Sequence, residues 1–261
     1  MKEIQMRVSA CQLNVKWAAV EENLRHLQEW LRKHACETDI VVLPEMFATG
    51  FCVENITKYA NESEKILSKI EEWCRVFSIA IAGSLMCAEK GEYFNRGFFV
   101  NESGERYFYD KRHLFRMGGE ADVLSFGNSR TIVAYKGWKI LLQICYDLRF
   151  PVFSRNRNNE YDLAIYVACW PMSRIQVWKT LLPARAIENL SYVCGVNAAG
   201  VDLKGRKQGG NSMFVDMKGY TIASLDENEG FVTAVLDYAA LQSFRQKFAA
   251  WKDADEFEIR L

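Results

Sequence analysis

Thr38-Asp-Ile-Val-Val-Leu-Pro-Glu45 and Tyr161-Asp-Leu-Ala-Ile-Tyr-Val-Ala168 are two versions of one segment, a polar lead ending in Asp and then an apolar run. Neither run has a helical period, so each reads as a short strand buried on both faces. The surroundings repeat as well. Trp138–Cys145 (WKILLQIC) answers the strand at positions 6 to 14 (MRVSACQLN), and Leu190–Asn197 (LSYVCGVN) answers Phe77–Ser84 (FSIAIAGS). Self-similarity over so long a period says more about architecture than any single segment does.

Helices are expected between these strands. Trp17, Val20, Leu24, Leu27 and Leu31 recur at three- and four-residue steps, as do Ile66, Ile70, Trp73 and Phe77. Each half then turns to a hairpin. In the first, strands at Arg96–Val100 and Glu105–Tyr109 flank Asn101-Glu-Ser-Gly104; in the second, Met213–Asp216 and Tyr220–Ser224 flank Met217-Lys218-Gly219. Each half needs helices on one face of its sheet and a partner sheet on the other. The expectation is an α/β fold: a four-layer α-β-β-α sandwich with an internal pseudo-twofold repeat, one domain over residues 1–261. Pro183 falls inside the helix expected from about Ser173 to Asn189, and a proline there costs ~3 kcal/mol, so a kink or break is expected. Leu241, Phe244, Phe248 and Trp251 form a late apolar stripe that suits either this domain or a second subunit.

Composition narrows the partners. Lys plus Arg equals Asp plus Glu at 33 each, which offers no electrostatic footprint for nucleic acid or an anionic membrane. The N-terminal apolar stretch is too short for a signal peptide and no run approaches ~20 apolar residues, so a cytoplasmic protein is expected. The eight cysteines are scattered without a Cys-x-x-Cys pair, and the three histidines have no compact ligand spacing. Buried thiols are expected rather than disulfides, zinc or another metal.

Three residues could carry chemistry. Cys145 ends an apolar strand just before a helix expected near Pro151, where a sharp turn exposes a nucleophile and aims backbone N–H groups, such as that of Tyr146, at an oxyanion. A thiol needs a base. His26 and His34 share an early helix, so a Cys–His dyad would rest on His113; the carboxylate alternative is Glu45, closing its strand. Lys111 follows the first hairpin within Tyr109-Asp-Lys-Arg-His-Leu114. Taken singly, each has a plain reading as a buried thiol, a solvated strand end and a solvated turn. Arg149 either clamps a substrate carboxylate or, the preferred reading, serves a structural ion pair. Phe47 and Trp170 would wall a small pocket or fill core, and Arg185 and Glu188, three apart, form a helix-face pair.

Together the motifs Leu43-Pro-Glu45-Met-Phe47, Tyr109-Asp-Lys111-Arg-His-Leu-Phe115 and Ile144-Cys145-Tyr-Asp-Leu-Arg-Phe-Pro151 resemble the nitrilase superfamily, the carbon–nitrogen hydrolases. The resemblance extends through Ala184-Arg-Ala-Ile-Glu-Asn189 and Gly210-Asn-Ser212, and Pro44–Phe51 and Tyr166–Pro171 are most similar to bacterial omega-amidases of the YafV type. It implies a doubled sandwich bearing a Glu–Lys–Cys triad, here Glu45, Lys111 and Cys145, with Glu120 as a second active-site acid, although on its own Glu120 reads nearly as well as a solvated loop acid. It implies no cofactor, at least a homodimer, and a small-molecule amide substrate: the monoamide of a small dicarboxylate, notably 2-oxoglutaramate or 2-oxosuccinamate, cleaved through a thioester. Competing expectations are a relative acting on a different amide, such as a deaminated peptide or a carbamoyl compound, a non-catalytic binding protein on the same fold, and a metal-dependent hydrolase.

Overall fold

The computed structural model describes residues 5–202 and 205–259. The first half runs β1 (Gln5–Gln12), α1 (Val20–His34), β2 (Ile40–Val42), α2 (Ile56–Ala60), α3 (Ser63–Phe77), β3 (Ala80–Glu89), β4 (Glu92–Val100) and β5 (Arg106–Asp110). The second runs α4 (Glu120–Val123), β6 (Ile132–Tyr135), β7 (Trp138–Ile144), α5 (Pro151–Ser154), β8 (Leu163–Ala168), α6 (Ile175–Asn189), β9 (Tyr192–Asn197), β10 (Met213–Val215) and β11 (Thr221–Ser224), followed by β12 (Gly230–Asp237) and α7 (Tyr238–Lys247).

The repeat read from the sequence is present strand for strand. One sheet has the order β12-β1-β2-β3-β4-β5 and the other β11-β10-β9-β8-β7-β6. In the first, β1, β2 and β3 are parallel with Val8, Ile40 and Ala80 in register; in the second, β7, β8 and β9 are parallel with Ile140, Leu163 and Tyr192 in register. The hairpin β4–β5 is matched by β10–β11, and β12 flanks β1 antiparallel as β6 flanks β7.

The strands read as continuous apolar runs because both their faces are covered. Ile40 and Val42 point between the sheets, against a core shared with Ile140, Leu142, Ile165 and Val167. Val41 and Leu43 point the other way, toward Leu24 and Leu27 of α1 and Ile70 and Trp73 of α3. Ala164 and Tyr166 of β8 likewise meet Trp178 and Leu182 of α6. Each fully buried aliphatic side chain contributes about 1.5–3 kcal/mol, so a charge at Val41 would both lose that and bury an unpaired ion. Close approach of α6 depends on Gly195 in β9, where a Cβ would lie 2.4 Å from Leu182 and 2.8 Å from Trp178.

Several expectations need correction. The break at Pro183 is absent: α6 runs uninterrupted from Ile175 to Asn189. Trp178 and Leu182 before the proline and Ala186 after it are all buried against the second sheet, and that packing outweighs the missing backbone bond. Trp17 lies outside α1, which begins at Val20 after Ala18 takes a left-handed φ of 60°. Strands β3 and β4 are longer than their apolar cores and join in a hairpin at Lys90–Gly91, and β6 was not anticipated. Of the late apolar stripe, Leu241 is fully buried and Phe244 packs against the inter-sheet core, while Phe248 is 56% exposed. Arg185 does bond Glu188 at 3.0 Å, and also reaches the carbonyl of Leu148 at 2.6 Å. All eight cysteines are free, with Cys11, Cys52, Cys74, Cys87 and Cys194 buried. Among the described residues no helix is long and apolar enough to cross a membrane.

Candidate active site

The ends of four strands converge on one pocket. Glu45 lies just beyond β2, Lys111 directly follows β5, Cys145 directly follows β7, and Cys169 directly follows β8. Glu45, Lys111 and Cys145 line a pocket of about 500 Å³ with Cys169, Trp170 and Phe51. Residues far apart in the chain are therefore brought together where the two sheets open to solvent.

Cys145 sits on a strained turn. Its φ is 45°, a left-handed value that costs a residue with a side chain of order 1–3 kcal/mol and persists only when its surroundings enforce it. Asp147 supplies that enforcement. Its buried carboxylate accepts from the Ile144 backbone N–H at 2.9 Å, the Tyr109 hydroxyl at 2.8 Å and the His113 backbone N–H at 3.0 Å. His113 Nδ1 also lies 2.8 Å from Asp147, and its ring stacks on Phe150 with centroids 3.9 Å apart. His113 thus belongs to the scaffold under the turn, and the Cys–His dyad is not formed.

The charged groups form a closed cluster. The Lys111 ammonium donates to Glu45 at 2.8 Å and to both oxygens of Glu120, at 2.8 and 3.0 Å, and all three side chains are essentially inaccessible. Asn95 on β4 donates its amide to Glu45 at 2.8 Å and to Glu120 at 2.9 Å. The backbone N–H of Cys169 holds the other Glu45 oxygen at 2.9 Å, and that of Phe115 holds Glu120 at 2.7 Å. Every buried charge is paired and hydrogen-bonded, the condition under which burial of ions is tolerable.

Electrostatics follow from this packing. Burial would lower the Lys111 pKa, but the charges of Glu120 and then Glu45 more than reverse that, holding the ammonium well above its ordinary value. Burial pushes the Cys145 thiol well up and the charge of Glu45 adds to it, while Lys111 opposes both. The thiol is therefore protonated at rest beside a carboxylate that can accept its proton and a fixed cation that can stabilise a developing negative charge. Cys169 is raised in the same way, chiefly by burial.

The structure sorts the remaining candidates. Glu120 is no solvated loop acid, being fully buried at the start of α4. Trp170 and Tyr146 line the pocket. Phe47 does not: it is fully buried and packs edge-on against Phe98, centroids 5.9 Å apart, because Met46 at φ 48° turns the chain so that the ring enters the layer under the helices. Phe51 lines the pocket instead. Arg149 forms no ion pair among the described residues; its guanidinium lies over Trp170, 5.1 Å from the ring centroid, facing the pocket. Sequence reading missed Asn95, Cys169, Phe115 and Arg174. Phe115 and Cys169 fall within the motifs Tyr109–Phe115 and Tyr166–Pro171, whereas Asn95 falls one residue before the strand expected at Arg96–Val100. Among the described residues no group of three or more His, Cys, Asp or Glu side chains is arranged to hold a metal ion.

Comparison with known proteins agrees with this geometry. A family model for carbon-nitrogen hydrolases matches residues 7–246. The omega-amidase YafV of Escherichia coli K12 is 41% identical over 97% of this chain and 98% of its own. The 2-oxoglutaramate amidase of Bacillus subtilis is 28% identical over 94% and 96%. Among solved structures, XC1258 of Xanthomonas campestris, a CN-hydrolase superfamily protein with an arsenic adduct in its active site, superposes with a TM-score of 0.96 at 38% identity, covering 98% of this chain and 99% of its own.

Proposed function

This chain belongs to the carbon-nitrogen hydrolase family, the nitrilase superfamily, and from that premise we propose that it is an omega-amidase acting through a thioester on Cys145. Its substrates are the monoamides of small dicarboxylates, such as 2-oxoglutaramate and 2-oxosuccinamate, and its products are the dicarboxylate and ammonia. The observation that carries the reading is the Lys111 ammonium fixed between two buried carboxylates in the same pocket as the Cys145 thiol. A protein that only binds ligands has no physical reason to keep such a cluster desolvated.

In this mechanism Glu45 takes the Cys145 proton as the sulfur attacks the amide carbon. The tetrahedral oxyanion is met by the Lys111 ammonium and the backbone N–H of Tyr146. Glu45 then gives its proton to the departing nitrogen, the C–N bond breaks, and ammonia leaves a thioester. The regenerated carboxylate draws a proton from water, whose oxygen attacks the thioester carbon; collapse breaks the C–S bond, and the proton on Glu45 returns to sulfur. Lys111 keeps its proton throughout, because Glu120 and Asn95 hold the cluster's balance while Glu45 cycles.

The substrate class draws support from the relatives named for omega-amidase and 2-oxoglutaramate amidase activity, and from Arg149, which lies on the pocket wall with no ion pair among the described residues. The reading also takes the enzyme to be a cytoplasmic homodimer, which sedimentation of the purified protein checks for the assembly. Ammonia release from 2-oxoglutaramate tests the activity: it should be lost in Cys145→Ala and should survive chelators. Full activity in that variant would remove the mechanism, and no preference for dicarboxylate monoamides across an amide panel would remove the substrate.

A further inference from the structure

Of the three arginines that line the pocket, Arg149 and Arg174 meet no carboxylate among the described residues. The guanidinium of Arg149 lies over Trp170 at 5.1 Å, and that of Arg174 lies over Phe115 at 5.2 Å. Among the described residues no ion pair or side-chain hydrogen bond engages either guanidinium. The other basic groups at the pocket are occupied, Arg206 by Asp202 at 2.7 Å and Lys207 by Glu227 at 2.8 Å. A guanidinium lying on an aromatic ring has its plane fixed while its fork of N–H donors stays free, an arrangement that suits a planar anion.

Contacts locate this pair relative to the chemistry. Trp170, under Arg149, donates its indole N–H to the carbonyl of Arg174 at 2.9 Å. Phe115, under Arg174, packs on Tyr146 with centroids 5.2 Å apart and donates its backbone N–H to Glu120 at 2.7 Å. Arg149, Trp170, Arg174, Phe115 and Tyr146 thus form one continuous wall that ends at the residue next to Cys145. Arg174 also stands immediately before α6, whose positive N-terminal end favours an anion beside it.

We propose that Arg174 is a specificity-determining residue that, with Arg149, receives the carboxylate at the far end of the substrate. The enzyme thereby selects amides that carry an anion at a set distance from the scissile carbonyl. This deepens the omega-amidase reading and rests on it.

Succinamate and butyramide test the assignment, because they share a chain and an amide and differ by a carboxylate in place of a methyl. In the wild-type enzyme kcat/KM should strongly favour succinamate. Arg174→Met should lower the succinamate-to-butyramide ratio by about 10- to 100-fold, the worth of a hydrogen-bonded charge, with the loss mainly in KM. The ratio is internally controlled, so a partly unfolded preparation does not alter it. If Arg174→Met is inactive on both amides, Arg174→Lys is read instead; keeping the charge without the fork, it should give a ratio between wild type and loss. A high wild-type ratio that stays unchanged in the variant overturns the role of Arg174 alone. A wild-type ratio near one overturns the dicarboxylate-monoamide reading itself.

Discussion

The backbone N–H of Cys169, at the end of β8 in one sheet, donates at 2.9 Å to the carboxylate of Glu45, at the end of β2 in the other. These two strands occupy equivalent places in the repeat, so the proposed base is held by the symmetry mate of its own strand. The Glu45–Lys111–Glu120 cluster is thus tied across the sheet–sheet interface, and any change that shifts one sheet on the other should disturb the Glu45 carboxylate directly.

Removing the central cation should be costly. Lys111→Met leaves Glu45 and Glu120 facing each other in a buried site, and breaking such a pair typically costs about 3–5 kcal/mol. Denaturant unfolding should show that loss at neutral pH and partial recovery in acid, where a carboxyl can protonate. In the wild type the folded ammonium has a raised pKa. Its stabilisation is therefore fully present below the ordinary lysine value of about 10.4 and lost only as pH rises through the higher folded value. Stability between about pH 6 and 9 should carry no contribution from its titration.

Glu45→Gln keeps the size and most hydrogen bonds of the base but cannot accept a proton. Its kcat/KM should fall by about 10²- to 10⁴-fold with little change in melting temperature. The same variant removes the negative charge that raises the Cys145 thiol, so the midpoint of its alkylation rate against pH should move down. In the wild type that rate should still be climbing above about pH 9, because the folded thiol is held above its ordinary range.

Asn95→Ala tests the amide that joins the two acids. It deletes two charge-assisted hydrogen bonds in a buried site, so stability should drop by about 2–4 kcal/mol. A slower acylation step in single-turnover assays should accompany the drop, since Glu45 loses one of the groups that fix its position.

Phe47 and Phe51 should separate cleanly. Phe47→Ala empties a site in the helix–sheet core and should cost about 3–5 kcal/mol while leaving KM near wild type. Phe51→Ala removes a pocket wall that also lies against the Lys111 ammonium at 6.0 Å, and should raise KM with a smaller loss of stability.

Much of this architecture was legible from the sequence because strands buried on both faces leave an unmistakable apolar run, and here the runs come in matching sets. The likeness of Thr38–Glu45 to Tyr161–Ala168 led directly to the paired sheets. The motifs around Glu45, Lys111 and Cys145 pointed to groups that the fold does bring to one pocket. What escaped was decided by geometry that side-chain type does not encode. Cys169 contributes a backbone N–H, which any residue could supply. Phe47 reads as pocket wall or core because it closely follows a strand, and the left-handed turn at Met46 decides for the core. Pro183 was expected to break its helix on local cost alone, and tertiary packing overrode that cost. Glu120 read equally as a solvated acid because the partners that bury it, Asn95 and Lys111, are contacts made across the fold.

Intact-mass analysis of the protein quenched after brief exposure to 2-oxoglutaramate decides whether the Cys145 thiol becomes acylated. The expected result is an added mass equal to the substrate less ammonia, located by peptide mapping on Cys145 and absent from Cys145→Ala. Rapid release of ammonia with no such adduct in the wild type, or an adduct on Cys169 instead, would contradict it.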